Sequence, residues 1–142
     1  MGEEFFLEGL DAYDKKDYET ALREWKLAAE QGDADAQFNL GLMYDKGKGV
    51  SQNYKTAVKW YRLAAEQGFA VAQSKLGWMY DEGKGVIKDY SLAHMWWNVA
   101  ASQGNKNAKN NRDIVEKRMT PADISNAQRL ARECVKKKYK GC

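Results

Sequence analysis

One histidine, His94, limits the acid–base chemistry open to this chain. A Ser-His-Asp triad would have to use it, and a histidine-rich metal site is excluded. His94 follows Ala93 on a helical stretch where an earlier copy of the same pattern carries Val58, so it reads as a packing or helix-surface residue. Carboxylates pair at Glu3-Glu4 and Asp81-Glu82. Adjacent residues on a helix point apart, so these read as solvated charges or as polar contacts to a partner. Gly47-Lys48-Gly49 invites a phosphate reading. A phosphate loop needs Gly-x4-Gly-Lys-Ser/Thr between a strand and a helix. Here helices flank the loop and no Lys-Ser/Thr follows, so a turn that needs backbone freedom is the simpler reading. The basic tail from Lys136 to Lys140 reads as a solvated helix end, with an anionic surface as the alternative contact. Cys134 and Cys142 either close a small loop, helped by Gly141, or remain two free thiols. A bridge would argue for an oxidising compartment. No nucleophile–base constellation emerges, so the chain is expected to be no enzyme and to need no cofactor or metal.

Composition narrows the class further. At 142 residues a single domain is expected, and 44% apolar with 30% charged residues suits a chain with enough apolar surface for a core. The net charge of +3 is too small to imply a polyanion partner, so no nucleic acid is expected. No apolar run approaches the roughly 18–20 residues that span a bilayer, so no membrane insertion is expected. Met1-Gly2-Glu3-Glu4 reads as an engineered junction, from which a native leader is expected to have been removed. Phe6 stands where a myristoylation signal would need Ser or Thr.

The elements that must position these residues repeat. Leu40-Gly41-Leu42-Met43-Tyr44-Asp45 through Val50 returns as Leu76-Gly77-Trp78-Met79-Tyr80-Asp81 through Val86. Aligning 37–72 with 73–108 gives 18 identities in 36 positions. Such a period marks a stacked-repeat architecture. Apolar spacing predicts helices over 3–14, 18–31, 34–45, 54–67, 69–81, 90–103 and 106–118, and a last helix opening at Thr120-Pro121. Glycines 32, 68 and 104 stop helices, and Asp33 is placed to cap one. Small residues (Gly41, Ala57, Ala64, Gly77, Ala93, Ala100) alternate with large ones (Leu40, Tyr44, Tyr61, Leu76, Tyr80, Trp97), as interdigitating helix faces require. Gly9 lies 12 residues before Ala21, against 16 from Gly41 to Ala57, so the first unit is atypical. Ile124, Ala127, Leu130, Ala131, Cys134 and Val135 give the last helix an apolar face suited to closing the stack.

Leu-Gly-x-Met-Tyr-x-x-Gly-x-Gly-Val (Leu40 to Val50), Tyr54, Ala57, Trp60 and Ala64 to Gly68, with their copies 36 residues on, resemble the Sel-1-like repeat family. The first unit is similar to the related tetratricopeptide repeat through Gly9, Ala21 and Ala28. The tail from Met119-Thr120-Pro121 to Leu130-Ala131-Arg132 is similar to that of bacterial members. The resemblance implies an all-α, right-handed α/α superhelix (solenoid) with a C-terminal capping helix. Its expected parts are a first unit at 3–32, repeats at 33–68 and 69–104, and capping helices at 105–142. It implies an adaptor or scaffold that binds a protein or peptide, and a periplasmic or secreted bacterial location. It carries over no catalytic residue.

In tetratricopeptide-type stacks the first helix of each pair lines the inner groove. Registering on Gly9, Gly41 and Gly77 places Phe6, Leu10 and Tyr13, then Phe38, Leu42 and Asp45, then Ser74, Trp78 and Asp81 in that groove. Large apolar residues at exposed positions suggest a binding surface, with aromatic anchors as its strong points. The alternative is that C-terminal helices or a second copy cover them. An acidic rim of Asp35, Asp45, Asp81 and Glu82 would favour a basic partner. The expected function is a non-enzymatic interaction module, acting as a monomer or weak homodimer. The alternatives are a self-associating structural unit, or an accessory subunit of an enzyme or secretion complex.

Overall fold

The structure, a computed structural model, describes residues 2–142, with side chains from Glu4 onward. Met1 and the side chain of Glu3, both weighed above, lie outside the described residues. The helices are α1 (Gly2–Asp14), α2 (Tyr18–Glu30), α3 (Ala34–Lys46), α4 (Tyr54–Glu66), α5 (Ala70–Glu82), α6 (Tyr90–Ser102), α7 (Lys106–Val115) and α8 (Pro121–Lys136). No strand occurs among the described residues. The all-α solenoid class expected from the repeats is the fold observed. Boundaries fall within a residue of expectation with one larger difference: the helix predicted over 106–118 ends at Val115, and Glu116–Arg118 tightens into a 3-10 turn.

Local chemistry sets each helix start. A free backbone N–H at the first turn needs an acceptor. Asp17, Asp33, Asn53, Asp89, Asn105 and Thr120 supply it, each accepting from the N–H three residues on. Phe69 takes the place of Asp33 one repeat later and caps nothing with its side chain. At the far ends, Gly47 and Gly83 adopt φ of 67° and return their N–H to Met43 and Met79. That left-handed conformation is open to glycine at little cost. The loops then close on the same helices, as Asn53 N–H reaches Tyr44 O at 2.9 Å and Asp89 N–H reaches Tyr80 O at 3.0 Å.

The chain forms two compact units, Met1–Ala64 and Ala65–Cys142. In the first, Ala12, Ala21, Trp25, Ala28, Ala29, Ala36, Leu40 and Met43 make the core. In the second, Ala93, Trp97, Ala100, Ala108 and Val115 do so, with α8 packed on α6. Within each helix pair a glycine faces an aromatic ring: Gly9 meets Trp25, Gly41 meets Tyr61, and Gly77 meets Trp97. A methyl at Gly77 would stand 2.5 Å from Trp97 Nε1. Buried glutamines tie successive helices, with Gln37 donating to Ala29 O at 3.1 Å and Gln73 to Ala65 O at 3.0 Å.

Cys134 and Cys142 are bridged, with Cα atoms 5.5 Å apart. Left-handed φ at Lys138 and Tyr139 turns the tail back. Tyr139 then lies against Gly68, and Gly141 N–H donates to Glu66 at 3.3 Å.

Two outcomes follow from this packing. Gly77→Ala should destabilise the protein by about 1–3 kcal/mol, because ring displacement outweighs the helix propensity gained. Urea denaturation reads the change, and an unaltered midpoint would show that Trp97 can shift freely. Reducing the Cys134–Cys142 bridge releases a short loop and should cost about 2–3 kcal/mol. Denaturation with and without reductant measures it.

Candidate functional site

The nine residues assigned to the groove divide into three groups. Leu10, Tyr13 and Leu42 line a cavity of about 260 Å³ between α1 and α3, floored by Trp25 and Met43. Ser74 and Trp78 line a cleft of about 480 Å³ between α5 and α7. Trp78 and Asp81 line its continuation of about 170 Å³. The remaining three act as internal braces. Phe6 is half-buried with its ring 6.4 Å from Trp25, and its carbonyl accepts from Trp25 Nε1 at 3.0 Å. Phe38 is half-buried with its ring 5.6 Å from Tyr61.

Asp45 corrects the expectation outright. It is only 9% exposed and accepts from the Tyr61 hydroxyl at 2.8 Å. It belongs neither to the groove nor to an acidic rim. Tyr61 fills the space above Gly41, and its buried hydroxyl needs an acceptor. Burial and the Asp45 carboxylate together hold the phenol far above its ordinary pKa, so it stays a donor.

The α5–α7 cleft has a definite chemistry. Trp78 is half-buried, with Lys75 Nζ 5.4 Å and Lys84 Nζ 4.8 Å from its ring. Opposite it, α7 presents Asn107, Asn110 and Asn111, with Asn105 at the helix start. A carboxamide both donates and accepts, so this wall suits groups that do the same. The cleft is basic at Lys75 and acidic at Asp81 and Glu82. Burial, then the Glu82 carboxylate, raises the Asp81 pKa above the usual carboxylate range, with Arg118 and Lys88 opposing in part.

The family model for the Sel1 repeat matches residues 1–33, 34–69 and 70–105. The chain belongs to the Sel1 repeat family. It is similar to the crystal structure of a protective antigen present in uropathogenic Escherichia coli strains that displays an SLR fold. That match has a TM-score of 0.91 and 31% identity, over 98% of this chain and 32% of the other. The chain therefore spans about a third of that relative. It is also similar to a Sel1 repeat protein from Oxalobacter formigenes, with a TM-score of 0.74 and 37% identity over 79% of this chain and 87% of the other. Among curated proteins none matches. Sel1 repeats generally serve as protein–protein interaction modules and are typically non-catalytic.

In this Sel1 repeat protein His94 is a core residue. It is 0% exposed, with Nε2 2.9 Å from a Glu116 carboxylate oxygen. No group of three or more His, Cys, Asp or Glu able to hold a metal occurs among the described residues. No described helix is long and apolar enough to cross a membrane.

Sequence reasoning missed the α7 wall. The spacing of Asn107, Asn110 and Asn111 places them on one helical face, which was the available signal. Of the two alternatives weighed, a C-terminal helix does lie over the α5 face, yet it leaves the cleft open.

Asp81 should reveal itself through stability. Its pKa is raised in the folded state, so folding favours the protonated form. That contribution is complete below the unfolded pKa of about 3.9 and is lost as pH rises through the higher folded value. Asp81→Asn should therefore match or exceed the natural protein in thermal stability at pH 7, and the difference should shrink as pH falls below about 4. A clear loss of stability at neutral pH would mean that the carboxylate is structurally engaged.

Proposed function

We propose that this Sel1 repeat protein is a non-enzymatic adaptor that captures an extended protein or peptide segment on the first helices of its pairs. The α5–α7 cleft is the principal site. The observation that carries this reading is Trp78, half-buried yet open to a cleft whose other wall is a row of asparagine amides. An extended backbone offers unpaired N–H and C=O groups, which carboxamides match. The indole supplies a rigid apolar anchor of the kind that dominates binding energy. Leu10, Tyr13 and Leu42 form a second, more apolar recess within the first unit, suited to an apolar side chain. Phe6, Phe38 and Asp45 take no part in contact.

The bridge between Cys134 and Cys142 supports action in an oxidising compartment, in the periplasm or outside the cell.

A displayed library of random peptides, selected on the immobilised protein, tests the reading. Peptides that bind should emerge, and Trp78→Ala should weaken them by about thirtyfold, the ~2 kcal/mol of an anchor residue. Helicity by circular dichroism should be unchanged. Binders indifferent to Trp78→Ala would reject this cleft as their site.

A further inference from the structure

Two positions in the repeats exchange roles. Tyr61 and Trp97 lie 36 residues apart in the same register, and so do Asp45 and Asp81. Tyr61 spends its hydroxyl on Asp45 at 2.8 Å. Trp97 carries its donor on a differently placed atom and spends it on the Ser74 carbonyl at 3.0 Å. Asp81 has therefore lost the donor that its equivalent keeps. No hydrogen bond or ion pair reaches its carboxylate among the described residues.

Nearby cations do not take the donor's place. Lys88 and Arg118 lie 5.1 and 5.9 Å from the Tyr90 ring centroid, and they act on Asp81 only from beyond ion-pair distance, lowering its pKa in part. Asp81 opens instead into the recess of about 170 Å³ that continues the α5–α7 cleft. Trp78, Trp97, Ile114 and Val115 give that recess apolar walls, Glu82 stands beside Asp81, and Asn111 and Arg118 complete the lining, so two carboxylates face one guanidinium there.

We propose that the captured segment places a lysine or arginine side chain in this recess, with its methylenes against the indoles and its cation on Asp81. Long cationic side chains bury an apolar stem while the charged head seeks a partner. Indole faces add attraction for the cation. A neutral side chain would leave Asp81 covered and unpaired, and an acidic one would be repelled. The recess thus selects by charge, which the asparagine wall does not. The proposal rests on the peptide reading of the cleft and adds the identity of one side chain.

The peptide selection described above also separates the two claims. On the natural protein, selected peptides should carry Lys or Arg at one fixed position. Replacing that residue in a selected peptide by norleucine or citrulline should weaken binding at least about tenfold, or 1.4 kcal/mol. Against Asp81→Asn the same replacement should cost less than about twofold, or 0.4 kcal/mol. Trp97→Tyr should shrink the preference as well, because its hydroxyl would engage Asp81 as Tyr61 engages Asp45. Peptides that need Trp78 but show no basic position overturn the proposal and leave the peptide reading standing. So does a basic preference that survives Asp81→Asn. A selection that enriches nothing overturns both.

Discussion

The structure depends on the close approach between a glycine on the first helix of each pair and an aromatic ring on the second. Gly9, Gly41 and Gly77 each leave the space of a side chain, and Trp25, Tyr61 and Trp97 fill it. Because the ring sits where a Cβ would be, each glycine lets its helix lie closer to the ring-bearing helix than any other residue would. The arrangement carries a second requirement. Each ring has one polar atom that is buried with it and must be hydrogen-bonded. The two tryptophans reach the carbonyl three residues before their glycine, Phe6 and Ser74. The tyrosine reaches the carboxylate four residues after its glycine, Asp45. Changing the ring therefore changes which neighbour is consumed by the architecture and which is left over.

This explains how much could be read in advance. Most helix ends, the glycine stops and the Asp33 and Thr120 caps are local properties, written within four residues of where they act, and apart from the end of α7 they appear within a residue of where the pattern put them. That Leu10 and Tyr13 share one side of α1, and Ser74 and Trp78 one side of α5, was legible because the helical period fixes which residues of one helix lie together. Asp45 was not legible. The repeat pattern gives Asp45 and Asp81 one role, and only the hydroxyl of a residue 16 positions away separates them. The amides of α7 escaped for a different reason. Asn110 and Asn111 lie beyond Ala108, where the repeat no longer predicts what faces what, and Asn107 stands where the preceding repeat has Val71. Gln37 and Gln73 were equally hidden, because a glutamine in a helix looks solvated until its carbonyl partner is known.

The C-terminal region does more than end the repeats. A helix pair exposes an apolar side that the next pair would cover. In the second unit α7 and α8 cover α6 with Ala108, Val115, Ala127 and Ala131. The bridge from Cys134 then holds the tail against the turn at Gly68. With α6 supported from behind, Trp97 is fixed, and with it the wall of the recess that Asp81 enters. A binding site gains affinity when its walls are ordered before the ligand arrives.

At Trp97, the packing shared by the repeats and binding chemistry are alternatives for the same atoms. In the repeat at 34–69 the aspartate is drawn inward to satisfy a tyrosine, and that repeat offers no charge at this point. In the repeat at 70–105 the larger indole keeps the packing and satisfies itself on the backbone. The aspartate is released with its proton affinity raised by burial and by Glu82. Such a carboxylate gains more from a cation than one already surrounded by donors, because less must be given up. Identical positions in the two repeats therefore build the scaffold, and a single exchange of ring type turns one structural carboxylate into an available one.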